Sequence, residues 1–326
     1  MENFKKKSIL TVVLLSLLTL GLAACSDSDS SEDNDGLDQV TYSAFDGLNG
    51  MAVRFGGEKG FFEDEGIDIE FVVAEDEVSA LTSGDVDIAD GSTTRVIVGA
   101  GRGAPIKMIA SMYRTQGPFY LQAGNDIDSV EDLRGQDIGV GIVGSGMDVY
   151  ARYILEEHGI DPDNDVNLID NGTYQQGYAT LQNEQVDATM IHEPFVTMGE
   201  ESGESHLLAQ GWDYLPDFHT GVIAASDSFI EESPEVIERF LEAYHTTQEY
   251  AKNNQEEYID YVVEHMDIDP EVLEQALDRE DELWTNDMPL DVERLVETQN
   301  IQLDLGFQEE EYDIESMIDT SFVPEE

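Results

Sequence analysis

Four short stretches combine glycines, hydroxyls, amides and charges in the manner of strand-to-helix turns. In open α/β sheets such turns lie at the carboxyl ends of strands. There the first N–H groups of the next helix point outward and take ligands. The first stretch is Phe45-Asp46-Gly47-Leu48-Asn49-Gly50, where two glycines and an Asn permit a tight turn and close backbone approach. It reads equally as an ordinary capped turn or as a ligand loop. The second is Asp90-Gly91-Ser92-Thr93-Thr94-Arg95, with hydroxyls and one guanidinium at a helix start. That set suits a carboxylate, sulfonate or nitrate, and Ser92 or Thr93 can also cap the helix. The third, Gly144-Ser145-Gly146, resembles an anion nest at a helix N-terminus. The fourth is His192-Glu193-Pro194-Phe195, in which Glu193 either accepts from a ligand N–H or O–H or pairs with an Arg across a cleft. His192 reads as structural.

Other chemistries lack their residues. Gly144–Gly146 is too short for a Walker loop and no Lys follows it, so nucleotide hydrolysis is unsupported. No Gly-x-Ser-x-Gly elbow is present, and the six His show no zinc-type pairing. With 72 Asp and Glu, any pair of carboxylates is uninformative by spacing alone. No cofactor and no metal are expected.

The elements that must position these turns alternate. Strand patterns cover 40–44, 67–73, 86–89, 106–113, 119–122, 138–143, 166–169, 188–191 and 207–208. Helical patterns cover 49–59, 77–82, 93–101, 147–158, 174–183 and 194–200, with one helical turn at 130–133. Such alternation makes an α/β fold with largely parallel sheets. From Pro234 the pattern turns helical, over 234–253, 256–264, 270–277 and 290–305, and Pro234 and Pro270 stand where helices begin.

The net charge is −57, from 15 basic and 72 acidic residues. Nucleic acid and anionic lipid surfaces, which need clustered Lys and Arg, are excluded as partners. Forty per cent hydrophobic residues still suffice for one large core or two smaller ones. The acidity suits high salt or high external pH, where screening and hydration offset self-repulsion.

The N-terminus carries an address. Lys5-Lys6-Lys7 precedes the apolar run Ile9–Leu22, and Leu22-Ala23-Ala24-Cys25 follows. Residues 1–24 read as a secretory signal. The ending resembles a bacterial lipobox, which implies that Cys25, the chain's one cysteine, carries lipid. Residues 25–36 hold no apolar side chain beyond that cysteine and read as an acidic tether. The expected location is the extracytoplasmic face of the cell membrane, through the lipid anchor.

Several phrases then occur in a known order. They are Glu58-Lys59-Gly60-Phe61-Phe62-Glu63-Asp64-Glu65-Gly66-Ile67, Ala80-Leu81-Thr82-Ser83-Gly84-Asp85-Val86-Asp87-Ile88-Ala89, Gly103-Ala104-Pro105-Ile106-Lys107, Asp132-Leu133-Arg134-Gly135 and Glu193-Pro194-Phe195. Over about residues 38–306 the chain resembles the solute-binding proteins of nitrate, sulfonate and taurine ABC importers, a group that includes thiamine-precursor pyrimidine binders. The resemblance implies a two-lobed, type II periplasmic-binding fold with two crossings between lobes and a helical C-terminal part. It implies lobe one at 37–116 and 219–326 and lobe two at 117–218. It places the Phe45–Leu48 turn with Asp46 and Gly47, Gly91–Thr93, Gly117–Phe119, Gly144–Ser145, Tyr174 and Glu193 around the cleft; Arg95 and Gly146 join them from the turns above. The function implied is capture of a small polar solute of the sulfonate, taurine or nitrate class and delivery to a permease with its ATPase subunits, by a monomer that is not an enzyme. The alternative solutes are a thiamine-precursor pyrimidine or another neutral or zwitterionic molecule, and the acidity of the chain leaves a cationic one open as well. A pyrimidine-forming enzyme of the same fold uses a cysteine-rich motif that one cysteine cannot supply.

Overall fold

A computed structural model describes residues 36–324 apart from 75, 113–116, 173 and 286. The expected signal segment, Cys25 and all of the tether but Gly36 lie outside the described residues. In chain order the elements are β1 (Asp38–Ser43), α1 (Leu48–Glu58), α2 (Phe61–Asp64), β2 (Ile67–Val72), α3 (Glu77–Ser83), β3 (Ile88–Ser92), α4 (Thr93–Gly101) and β4 (Ile106–Ser111). Then come β5 (Tyr120–Gly124), β6 (Asp137–Gly139), α5 (Gly146–Glu157), β7 (Asn167–Ile169), α6 (Tyr174–Gln182), β8 (Ala188–Ile191), α7 (Phe195–Ser202) and β9 (Ser205–Gln210). The last part holds β10 (Gly221–Ser226), α8 (Asp227–Glu232), α9 (Pro234–Asn253), α10 (Gln255–Met266), α11 (Pro270–Glu280) and α12 (Val292–Asp304).

Two five-stranded sheets form, in the orders β2-β1-β3-β10-β4 and β7-β6-β8-β5-β9. The expectation of largely parallel sheets needs a correction, because both are mixed. β10 runs antiparallel between β3 and β4, and β5 runs antiparallel between β8 and β9. The other pairings are parallel. The cause is the path of the chain. It leaves the first sheet after Ser111 and returns after Gln210. The first strand after each crossing, β5 and then β10, is the one inserted antiparallel inside its sheet.

Side chains on the two faces of each strand enter different cores. In β10, Ile223 and Ala225 join a cluster with α1, α9 and α10, whereas Val222 and Ala224 join one with α4 and α12. All six residues of β10 are buried, and so the segment lacks the period-2 signal of a half-exposed strand. β10 and α8 are accordingly absent from the sequence assignment. The strand expected over 138–143 is shorter. β6 stops at Gly139, and Gly141 takes φ +67°, outside the extended region, which turns Ile142 and Val143 to the surface. The helix α1 crosses α9 so closely that a Cβ at Gly56 would stand 2.0 Å from Thr247 Oγ1.

The C-terminal helices touch both sheets' cores. On α12, Leu295 packs with the first sheet's rear cluster and Ile301 with the second sheet's core. On α11, Leu273 and Leu277 belong to the first core, while Arg279 pairs with Glu193 and Glu200 from the second half of the fold.

Candidate functional site

The turns foreseen from the sequence surround one cavity of about 580 Å³. That volume suits a small organic molecule. From the first sheet, the segment after β1 contributes Phe45, Asp46 and Asn49; β3 and α4 contribute Asp90, Ser92 and Arg95; the start of α3 contributes Asp76 and Glu77. From the second half come Phe119, ahead of β5, Ser145 and Gly146 at the start of α5, Asp170, Tyr174 and His192. The remaining expected residues lie close by but off the lining. Gly91 sits within β3, where a Cβ would meet Val96 at 2.6 Å. Thr93 is fully buried and turns its hydroxyl to His219 Nδ1 at 3.1 Å. Gly47 stands behind Tyr174, and Gly144 is held in a backbone contact described below.

The first-sheet wall is acidic and largely self-satisfied. Asp90 accepts hydrogen bonds from the Tyr42 hydroxyl and from the Phe45 N–H at 2.9 Å, which fixes the first turn to β3. Burial lifts its carboxyl to about 6, against the opposing effect of those donors and of Arg54. Arg95 is spanned by two carboxylates, Asp76 at 3.0 Å and Glu77 at 3.3 Å. Glu77 also accepts from the Ser92 N–H at 3.3 Å, and burial raises its pKa while Arg95 opposes the rise. The hydroxyls of Ser92 and Thr94 stand 2.9 Å apart.

The second wall is aromatic. His192 lies between Phe119 and Tyr174, with ring centroids 4.5 and 4.2 Å away and both pairs edge to face. Phe119 rests in turn on Tyr150, at 4.9 Å. The expected anion nest is occupied from within. The Gly144 N–H donates to Asp148 Oδ2 at 2.9 Å, and the Ser145 N–H donates to the Ile142 carbonyl at 3.0 Å. Asp148 is fully buried and paired with Arg152 at 2.9 Å. Ser145-x-x-Asp148 has the spacing of a capping box, but the Ser145 hydroxyl makes no capping bond and Asp148 reaches one residue further back, to Gly144.

Glu193 follows His192 but turns away from the lining. Its carboxylate accepts the N–H and the hydroxyl of Thr197 at 3.1 and 3.0 Å and lies 3.0 Å from Arg279. Burial and the neighbouring Glu280 push its pKa up to about 7, with Arg279 opposing them. Of the two roles open to Glu193, the geometry has the pairing with an Arg.

Two contacts join the sheets' turns directly, one across the cavity and one beside it. Asn49 Nδ2 stands 3.3 Å from His192 Nδ1, and the Thr94 hydroxyl donates to the Gly144 carbonyl at 3.2 Å. Asn49, Asp90 and His192 thus hold central places that residue type alone did not assign to them. Among the described residues no group of three or more His, Cys, Asp or Glu forms a metal site. No helix of the described residues is long and apolar enough to cross a membrane.

A family model described as NMT1/THI5 like matches residues 50–258. YtlA of Bacillus subtilis, named as a binding protein, is 26% identical over 273 residues, covering 80% of this chain and 79% of that protein. The formylaminopyrimidine-binding protein of Halalkalibacterium halodurans is 24% identical, covering 82% of this chain and 80% of its own. Among solved structures, the alkanesulfonate-binding protein SsuA of Xanthomonas axonopodis pv. citri, bound to MOPS, superposes with a TM-score of 0.70 at 16% identity. It covers 83% of this chain and 92% of its own.

Proposed function

The chain belongs to the NMT1/THI5-like family, and on that premise we propose that it is the solute receptor of an ABC importer. It captures one small molecule between two lobes, 37–116 with 219–326 and 117–218, and presents it to a permease driven by separate ATPase subunits. Cys25, lipid-modified after removal of residues 1–24, tethers it outside the membrane. The observation that carries this reading is the convergence of turns from both sheets on one cavity, with Asn49 and His192 meeting across it. Closure of the lobes sequesters the solute and creates a docking face, a population shift driven by contacts made only in the closed form.

The geometry bears on the solute. A sulfonate, taurine or nitrate needs donors, and here Arg95 and the Gly144 N–H are engaged by the chain's own carboxylates. The aromatic wall favours a ring-bearing, non-anionic solute, which supports the second reading, a pyrimidine or another neutral or zwitterionic molecule. Enzymatic turnover is not part of the proposal. Equilibrium dialysis against a pool of small metabolites, followed by mass spectrometry, tests it: the expected result is one solute per chain, recovered unchanged on denaturation. Recovery of a converted product instead would favour an enzyme.

A further inference from the structure

Resting on the receptor reading, we infer that the cavity selects a small organic cation and that Asp76 and Glu77 set this preference by holding Arg95. Arg95 is the one Lys or Arg among the described lining residues, and its guanidinium lies between Asp76 Oδ1 at 3.0 Å and Glu77 Oε2 at 3.3 Å. Two N–H groups just ahead of the helix starts are spent as well. That of Ser92 donates to Glu77 at 3.3 Å, and that of Gly144 to Asp148 at 2.9 Å. The Thr94 hydroxyl donates to the Gly144 carbonyl beside the cavity at 3.2 Å. The guanidinium on the lining is therefore held by the protein's own carboxylates, and the Ser145 hydroxyl is an uncharged donor left facing the cavity.

Charge on the lining points the same way. Asp46, Asp90 and Asp170 line the cavity in addition to the pair that spans Arg95. An anion placed there meets like charge in a partly desolvated space, where water screens little. A cation meets carboxylate oxygens and the faces and edges of Phe45, Phe119 and Tyr174, and aromatic faces attract cations. Asp90 is 2% exposed and bound to Tyr42 and Phe45, so it is a fixed counter-charge rather than a mobile one.

Three probes of one shape separate charge from ring: benzylammonium, benzamide and benzenesulfonate. Calorimetric titration of the full chain at pH 7.5 and low salt is expected to give one benzylammonium site, at least tenfold tighter than benzamide, and no saturable benzenesulfonate binding. Glu77→Gln keeps an oxygen for the Ser92 N–H but releases one side of Arg95. It is expected to weaken benzylammonium at least threefold and to admit benzenesulfonate. Asp46→Asn, at the exposed rim, is expected to weaken benzylammonium about twofold, and it serves if Glu77→Gln does not fold. Benzenesulfonate binding to the unaltered chain as tightly as benzylammonium overturns the inference, as does a failure of benzylammonium to saturate. Scattering measured on the same samples keeps the two readings apart. Compaction with benzenesulfonate would refute the charge preference and leave the receptor standing; benzylammonium binding without compaction would do the reverse.

Discussion

Asp90 ends up nearly sealed at the floor of the cavity, and burial lifts its carboxyl from the ordinary 3.8 to about 6. The folded state then holds this proton more tightly than the unfolded chain does. Its contribution is therefore most favourable below about pH 4 and is lost as pH rises through 6. Each tenfold gain in proton affinity corresponds to about 1.4 kcal/mol, which brings the whole contribution to roughly 3 kcal/mol. Asp90→Asn removes that slope. In chemical denaturation the variant's stability relative to the parent should improve by roughly 2–3 kcal/mol between pH 4 and pH 7; a difference independent of pH would contradict the role given to burial. At this scale the sequence was legible in part. The turns at Phe45–Gly50, Asp90–Arg95 and Gly144–Gly146 were visible as glycines and hydroxyls at the ends of apolar runs. Their internal partners were not. Asp148 answers Gly144 from four residues on, whereas Asp76 and Glu77 reach Arg95 from the start of an earlier helix. The second kind of pairing depends on tertiary placement, which a linear reading does not contain.

Among the elements, α1 and α9 approach most revealingly. Gly56 lies against Thr247, and a methyl group there would fall 2.0 Å from Thr247 Oγ1 and 2.5 Å from its Cγ2. Gly56→Ala gains helix propensity but forces these two helices apart. The expected net effect is a loss of about 1–3 kcal/mol in unfolding free energy, measured by urea titration. Adding Thr247→Ser should restore part of it, and a neutral Gly56→Ala would show that the helices can separate freely. The helices were the most legible elements, because Pro234 and Pro270 fix their starts and the 3.6-residue period runs on for several turns. Strands were less so. β10 lies buried on both faces between β3 and β4, and its Gly-Val-Ile-Ala-Ala-Ser text shows no alternation. The antiparallel insertions of β5 and β10 were likewise hidden, since strand direction follows from where the chain crosses rather than from composition. Near one of those strands, α11 sets Arg279 against Glu193 and Glu200 of the α7 region, and Tyr120 of β5 donates to Glu280 at 3.2 Å. This polar contact ties a helix rooted in the first core to the segment that carries His192.

For the molecule as a whole, capture of a solute requires two halves able to separate and to close on it. The contacts that would mark closure are few and specific: Asn49 with His192, and Thr94 with Gly144. Around them the surface is strongly acidic, with a net charge of −57, so mutual repulsion opposes closure unless salt or a bound cation offsets it. Overall architecture was the most legible level, through an ordered set of short phrases rather than any single motif. The preference for a solute was the least, because it rests on which donors the folded chain leaves open. The most direct test places spin labels at Val73→Cys and Val143→Cys in a Cys25→Ser background. Both positions are 54% exposed; one follows β2 of the first sheet and the other follows β6 of the second. With saturating benzylammonium, pulsed dipolar spectroscopy should show the distance distribution shorten and narrow. Full occupancy of the cavity with an unchanged distribution would contradict the claim that the two halves clasp a shared guest.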